Sequence, residues 1–257
     1  MKNRETKSWN LMRCKGLFLA LTLSVGILFS SCDDWSDKDD YLYRKIGIVQ
    51  KSADEKIIKL DRGWELHPES PLSDLTEGER IIADFTVEKE MGKTPPTYEI
   101  KLYNTHKVLT KDVLEYQEEI SDSLGTDPLR VNDAWIANGY INFDFTFLGG
   151  KPQLKHMVNL AVHPRVEGED FILLEFRHNA YEDPYERRQW GIVSFSTASL
   201  LDLIDTPEAK TINLKIQYKG FNGQDRTFDL KWNTEKDEEE EDRSIFSKDS
   251  DETGMIE

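Results

Sequence analysis

The sequence predicts an all-β protein of two domains, a small β-barrel followed by an antiparallel β-sandwich, behind a removable N-terminal segment. Three observations carry that prediction. Short segments in which apolar and polar residues alternate recur from Tyr41 to Trp232. Clusters of Gly, Pro, Asn and Asp separate them, including Asn138-Gly139 and Asn222-Gly223, which are strong hairpin signals. Past the N-terminal run, helical spacing of apolar residues is confined to one stretch, Lys111 to Leu124.

Residues 1–31 read as a lipoprotein signal peptide. Lys2, Arg4, Lys7, Arg13 and Lys15 precede an apolar run from Leu17 to Phe29, and small residues follow. The run is short for a membrane span, which needs about 20 apolar residues. Leu28-Phe29-Ser30-Ser31-Cys32 resembles a bacterial lipobox, with Phe29 where an aliphatic residue is usual. That resemblance implies a diacylglyceryl group on the Cys32 thiol and cleavage just before it. Cys14 lies in the segment to be removed, so Cys32 is the one cysteine left and no internal disulfide can form. One acyl chain binds a bilayer only marginally, whereas several together hold it stably.

The stretch 32–40 is an acidic linker, with Asp33, Asp34, Asp37, Asp39 and Asp40. Acidic residues directly after the lipidated cysteine resemble signals that carry lipoproteins of the Bacteroidetes to the outer face of the cell. The resemblance implies an outer-membrane location, on the cell surface or on the periplasmic face. The whole chain has a formal charge of −16, and the part after residue 31 is more acidic still, because the signal segment is basic. That balance excludes a nucleic-acid partner, whose phosphates need Lys and Arg. It also opposes docking by charge onto anionic lipid, and it favours a basic partner.

In residues 41–108, Tyr41–Gln50 and Lys56–Leu60 read as strands, and Trp64–Asp74, with two prolines, as a loop. Glu79–Lys89 alternates, with Ile81, Ala83, Phe85 and Val87 on one face and Arg80, Asp84, Thr86 and Glu88 on the other. Thr97–Asn104 completes the set. A five-stranded OB-like barrel fits this spacing, though composition alone does not single it out. Residues 109–128 read as a connector with a short helix, since Val113, Leu114, Gln117, Ile120 and Leu124 fall near helical spacing ahead of Gly125 and Pro128.

Residues 129–234 read as the sandwich. In Tyr140–Phe147 the residues Ile141, Phe143, Phe145 and Phe147 share one face, while Tyr140, Asn142, Asp144 and Thr146 share the other. That pattern is a strand with its phenylalanine face in the core. Lys155–Val162, Phe171–His178, Trp190–Phe195, Ile212–Lys219 and Arg226–Trp232 follow as further strands. Residues 235–257 carry a dense acidic run, Asp237–Asp242, and read as a disordered tail. The spacing of an EF-hand calcium loop is missing there.

No catalytic motif stands out. The histidines His67, His106, His156, His163 and His178 do not fall in a metal-binding spacing, no further thiol accompanies them, and no cofactor is expected. His156 shares a strand face with Val158 and Leu160 and reads as a satisfied, partly buried side chain. The densest polar cluster is Glu175–Arg188. It reads as a candidate binding loop with Arg177, His178, Asn179, Tyr181 and Tyr185 as contact residues. Two other readings stay open: Glu182 or Asp183 with His178 as acid and base, and a long hairpin loop whose polar groups cap strand ends.

Several separated pieces together resemble the NigD-like lipoproteins of Bacteroides and Prevotella relatives. They are Leu109-Thr110, Asp122–Pro128, Trp135-Ile136, Gly139–Asn142, Arg177–Tyr181 and Gly191–Phe195, in that order. The resemblance implies an OB-like N-terminal domain and a C-terminal β-sandwich. It implies an association with bacteriocin production or immunity, and it supplies no catalytic residues. The expectation is therefore a lipid-anchored, non-enzymatic envelope protein that binds a protein or glycan partner. A bacteriocin-associated structural role comes second and an enzyme acting on envelope glycans third.

Overall fold

Alternation in the first domain turns Val49, Ile58, Leu66, Ile81, Ala83, Phe85 and Ile100 inward, and they form its buried core. In the computed structural model the strands that carry them are β1 (Tyr43–Ser52), β2 (Glu55–Leu60), β3 (Glu65–Pro68), β4 (Arg80–Lys93) and β5 (Pro96–Lys107). They close into a barrel in the order β1-β2-β3-β5-β4, with β3 and β5 parallel. This is the OB-like barrel of the expectation. Three register shifts between β4 and β5 let these long strands bend around it. The described residues are 41–235 apart from 152–153, 185 and 205–209. The expected signal peptide, Cys32, the acidic linker, Tyr185 and the tail from residue 236 on lie outside them.

Two expectations need correction here. Trp64–Asp74 is not all loop, because Glu65–Pro68 pairs with both β2 and β5 and is needed to close the barrel. Residues 109–115 do not form a separate connector. They form β6 (Leu109–Lys111) and β7 (Leu114–Glu115), which add as parallel edge strands to the two sheets of the sandwich. Only α1 (Glu118–Leu124) is helical in that stretch. Val113 packs into the sandwich core, so its burial, and not a helical period, explains the apolar spacing.

The sandwich strands are β8 (Leu129–Ala137), β9 (Tyr140–Gly149), β10 (Met157–Val162), β11 (Ile172–Asn179), β12 (Arg187–Ser196), β13 (Thr211–Lys219) and β14 (Asp225–Asn233). A short helix α2 (Thr197–Leu201) follows β12, capped by the Ser196 hydroxyl, which accepts from the Ser199 amide. One sheet has the order β14-β13-β11-β10-β7, the other β6-β12-β9-β8. Asn138 and Gly139 turn β8 into β9 with φ of 51° and 80°, the left-handed backbone that a two-residue hairpin requires. Between the sheets, Phe143 stacks on Phe176 at 4.4 Å, and Phe145 meets Phe176 edge-on at 5.3 Å. The Phe145 ring lies across its cross-strand partner Gly191, where a Cβ would stand 2.7 Å from Cζ.

The other face of β9 is polar in residue type, yet Asn142 is 0% and Asp144 4% exposed. The outer face of the barrel packs on this sheet. Ile46 and Ile82 from the barrel join Val108, Trp135, Ala137 and Ile192 in a second, smaller apolar contact. The four-stranded sheet is thus covered on both sides.

Candidate functional site

Among the described residues, two buried polar clusters bear on the site. The first joins the barrel to the sandwich. Arg80 opens β4 and is 1% exposed. Its Nη1 donates to Asp61 Oδ1 at 2.5 Å and its Nη2 to Asp61 Oδ2 at 2.7 Å, a two-pronged pair within the barrel. Nη2 also donates to Asn142 Oδ1 at 2.7 Å, and Nε reaches Ser194 Oγ at 3.4 Å, both across the joint. Asp61 is met in turn from the sandwich. Trp135 Nε1 donates to Oδ2 and Asn138 Nδ2 to Oδ1, each at 2.8 Å. Ser194 Oγ donates to Asn142 Oδ1 at 2.7 Å and completes the ring of contacts. The Arg80 guanidinium also stands 5.3 Å from the centre of the Tyr140 ring.

Alternation puts Arg80 and Asn142 on polar strand faces, but gives no sign of their meeting or of Ser194 beside them. Arg80 and Asn142 sit in the most regular alternating strands of the two domains, so both point off those faces at a fixed place. Nothing local indicated that the two faces would be pressed together.

The second cluster includes the expected binding loop. Arg177 is 6% exposed and turned inward. Its Nε donates to the Gly125 carbonyl at 2.6 Å and its Nη2 to the Ser121 carbonyl at 2.8 Å, which satisfies the C-terminal end of α1. Asn179 Nδ2 donates to the Ser123 carbonyl at 3.0 Å, and its Oδ1 accepts from the Tyr181 amide. Tyr181 is exposed, on left-handed backbone with φ of 49°. Tyr185 lies outside the described residues. The structure therefore brings Arg177 and Asn179 together around α1 and leaves Tyr181 facing solvent.

His178 belongs to a different contact. His156 Nε2 lies 3.1 Å from Asp183 Oδ2, and His156 Nδ1 lies 2.9 Å from His178 Nε2. Asp183 also accepts from the amides of Gly150 at 2.7 Å and Lys151 at 3.0 Å, so it fastens one loop to another. A carboxylate can only accept, so His156 carries its proton on Nε2. Its Nδ1 then accepts from His178 Nε2. His178 Nδ1 is left buried with no hydrogen-bond partner among the described residues. Burial, and then the neighbouring His156, push the His178 ring down to about 4 against smaller opposing effects of Asp127 and Pro128. Burial raises the Asp183 carboxyl, but the Gly150 and Lys151 amides and His156 outweigh it and hold the group below its ordinary value. Glu182 stays exposed, with φ of 62°. The arrangement thus places Asp183 on His156, with His178 reached only through it.

At the end of the five-stranded sheet a cleft of about 170 Å³ opens between His163, Arg165, Ile172 and Ile204. His163 stacks on Tyr116 at 4.0 Å and pairs with Glu175 at 3.1 Å, so the wall of the cleft is tied to Arg177 through Glu175. Among the described residues no group of three or more His, Cys, Asp or Glu side chains is placed to hold a metal ion. Among them, too, no helix is long and apolar enough to cross a membrane.

Comparison with curated proteins gives no match. Among solved structures, a Parabacteroides distasonis protein named as toxin-related is 28% identical at a TM-score of 0.60, over 76% of this chain and 94% of its own. A NigD-like immunity protein from Bacteroides caccae is 14% identical at a TM-score of 0.56, over 76% of this chain and 98% of its own. A Bacteroides fragilis protein named as a lipoprotein is 11% identical at 0.55, over 76% and 100%. The last two likenesses concern the fold. The model of the NigD-like C-terminal beta sandwich domain matches residues 112–232, starting inside the segment expected as a connector and ending at the penultimate residue of β14. Residues 112–232 thus match a NigD-like C-terminal beta sandwich domain.

Proposed function

We propose that the protein is a lipid-anchored, non-enzymatic interaction module of the bacterial envelope, held at the outer membrane by acylated Cys32 and working through contact with a protein or glycan partner. The anchor part rests on the run that ends at Cys32. The observation that carries the non-enzymatic part is the use of the polar side chains in the C-terminal domain. Arg177, Asn179, His156 and Asp183 all close on their own chain, and Asp183 has both oxygens engaged. A general acid or base needs a free position facing substrate. Of the loop expected to bind, Tyr181 is the exposed side chain to which we assign contact, with Arg177, His178 and Asn179 holding the loop beneath it.

A bacteriocin-associated role is the second reading. It is favoured by the names of a toxin-related and an immunity protein among the structures this chain resembles. Deleting the gene and measuring killing of the strain by bacteriocins of its neighbours separates the two. Greater sensitivity supports immunity, and unchanged sensitivity points to another envelope partner. Hydrolysis of envelope glycans by the purified protein, lost in Glu182→Gln, would overturn the non-enzymatic reading.

A further inference from the structure

We infer that the end of the barrel at which the described chain begins is a membrane-contact surface, seated against the headgroup layer of the bilayer that holds the anchor. This rests on the anchored reading of Cys32.

The register brings the relevant residues to one end. Tyr43 pairs with Phe85 at the start of β1, so Tyr41 and Leu42 run on beside the outer half of β4, toward the β4–β5 turn. Trp64 precedes β3, and Tyr98 of β5 pairs with Leu66 of β3 and with Glu90 near that turn. The rings touch in sequence. Tyr41 meets Tyr43 at 4.7 Å, Tyr43 meets Trp64 at 6.3 Å, and Trp64 meets Tyr98 at 4.9 Å. Tyr43, Trp64 and Tyr98 are half-buried where the barrel core ends. Beyond them Tyr41 is 68%, Leu42 57% and Met91 54% exposed. Lys89 and Lys93 are exposed on the same hairpin.

Tyrosine and tryptophan with lysine nearby, around exposed aliphatic side chains, is the composition that settles at a membrane interface, where a ring can be apolar on one side and hydrated on the other. The occupant follows from the chain length. Eight residues, 33–40, separate Cys32 from Tyr41. Fully extended they reach about 30 Å, so Tyr41 stays near the surface that the acyl chains enter. The acidity of the protein opposes attraction to anionic lipid, so the contact is made by the rings and by Met91, and a zwitterionic bilayer suffices.

The test uses the mature protein isolated from its own membranes and placed in phosphatidylcholine vesicles. With Cys32 acylated, Met91→Cys supplies the only free thiol and takes an environment-sensitive nitrobenzoxadiazole label. A second preparation carries the label at Glu167→Cys, in the β10–β11 loop of the sheet behind the one that meets the barrel. The expected result is a blue-shifted label at position 91, quenched several-fold by brominated lipid, and an unshifted label at 167. Tyr41→Ser with Leu42→Ser should reduce the quenching while the protein still sediments with vesicles. A water-exposed label at 91 in protein that sediments would overturn the contact and leave the anchor standing. Protein that neither carries acyl groups nor sediments would overturn the anchor, and the contact with it.

Discussion

A carboxylate and a guanidinium buried together are costly to keep unless nearly every lone pair and N–H among them finds a partner. Asp61 and Arg80 meet that condition only with help from both domains, since Trp135, Asn138, Asn142 and Ser194 all belong to the sandwich. Removing one partner strands the other. Asp61→Ala should lower stability by about 3–5 kcal/mol, read as a shift in the urea midpoint. A change under about 1 kcal/mol would mean that water replaces the carboxylate freely. His178 makes a pH prediction. Its ring is held neutral down to about pH 4, whereas in the unfolded chain it takes up a proton near 6.5. Stability from this group is complete above pH 6.5 and is lost as pH falls toward 4, about 3 kcal/mol in all. Urea titrations at stepped pH should show this loss, and His178→Gln should flatten it between those limits. Neither residue was legible as a pair from sequence. Strand β3 and its flanking loops separate Asp61 from Arg80, and their four further partners lie in the next domain.

At the scale of elements, strand β9 shows where a period-two reading succeeds and where it stops. The face Ile141, Phe143, Phe145 and Phe147 was legible, and it forms the sandwich core. Alternation says which residues share a face, but not what covers the opposite one. Asn142 and Asp144 looked like solvent residues and are buried against the barrel side and Trp190, whose Nε1 donates to Asp144 Oδ1 at 2.8 Å. The close passage at Gly191 was also invisible, because it depends on the Phe145 ring across the strand pair. Gly191→Ala should cost about 1–3 kcal/mol by forcing that ring out of place. An unchanged melting temperature would show that the ring can move aside. Helix α1 has seven residues, too few to persist alone in water. Arg177 holds its end, and Arg177→Ala should cost about 1–3 kcal/mol through the carbonyls it leaves unpaired. Amide exchange should then quicken first in residues 118–125. Uniform quickening across the sandwich would place Arg177 in the global core instead.

At the scale of the whole molecule, the two domains share a joint made of an apolar contact and the Asp61–Arg80 cluster, so the described surfaces of both are presented in one fixed arrangement. Short strands and turn signals were enough to read two β domains, because each strand keeps its alternation locally. The pairing of residues 109–115 into both sandwich sheets was not readable, since strands of two or three residues carry no period. The candidate site was legible as a cluster of polar residue types and illegible in direction, because only packing turns Arg177 and His178 inward and Tyr181 outward. The proposed function hangs on attachment at Cys32. The most direct test is the intact mass of the protein extracted from its native membrane. The expected species is a chain that begins at Cys32 and carries a diacylglyceryl group with a further acyl chain, absent in Cys32→Ser. A mass beginning at Met1, or at Cys32 with a free thiol, would contradict the attachment.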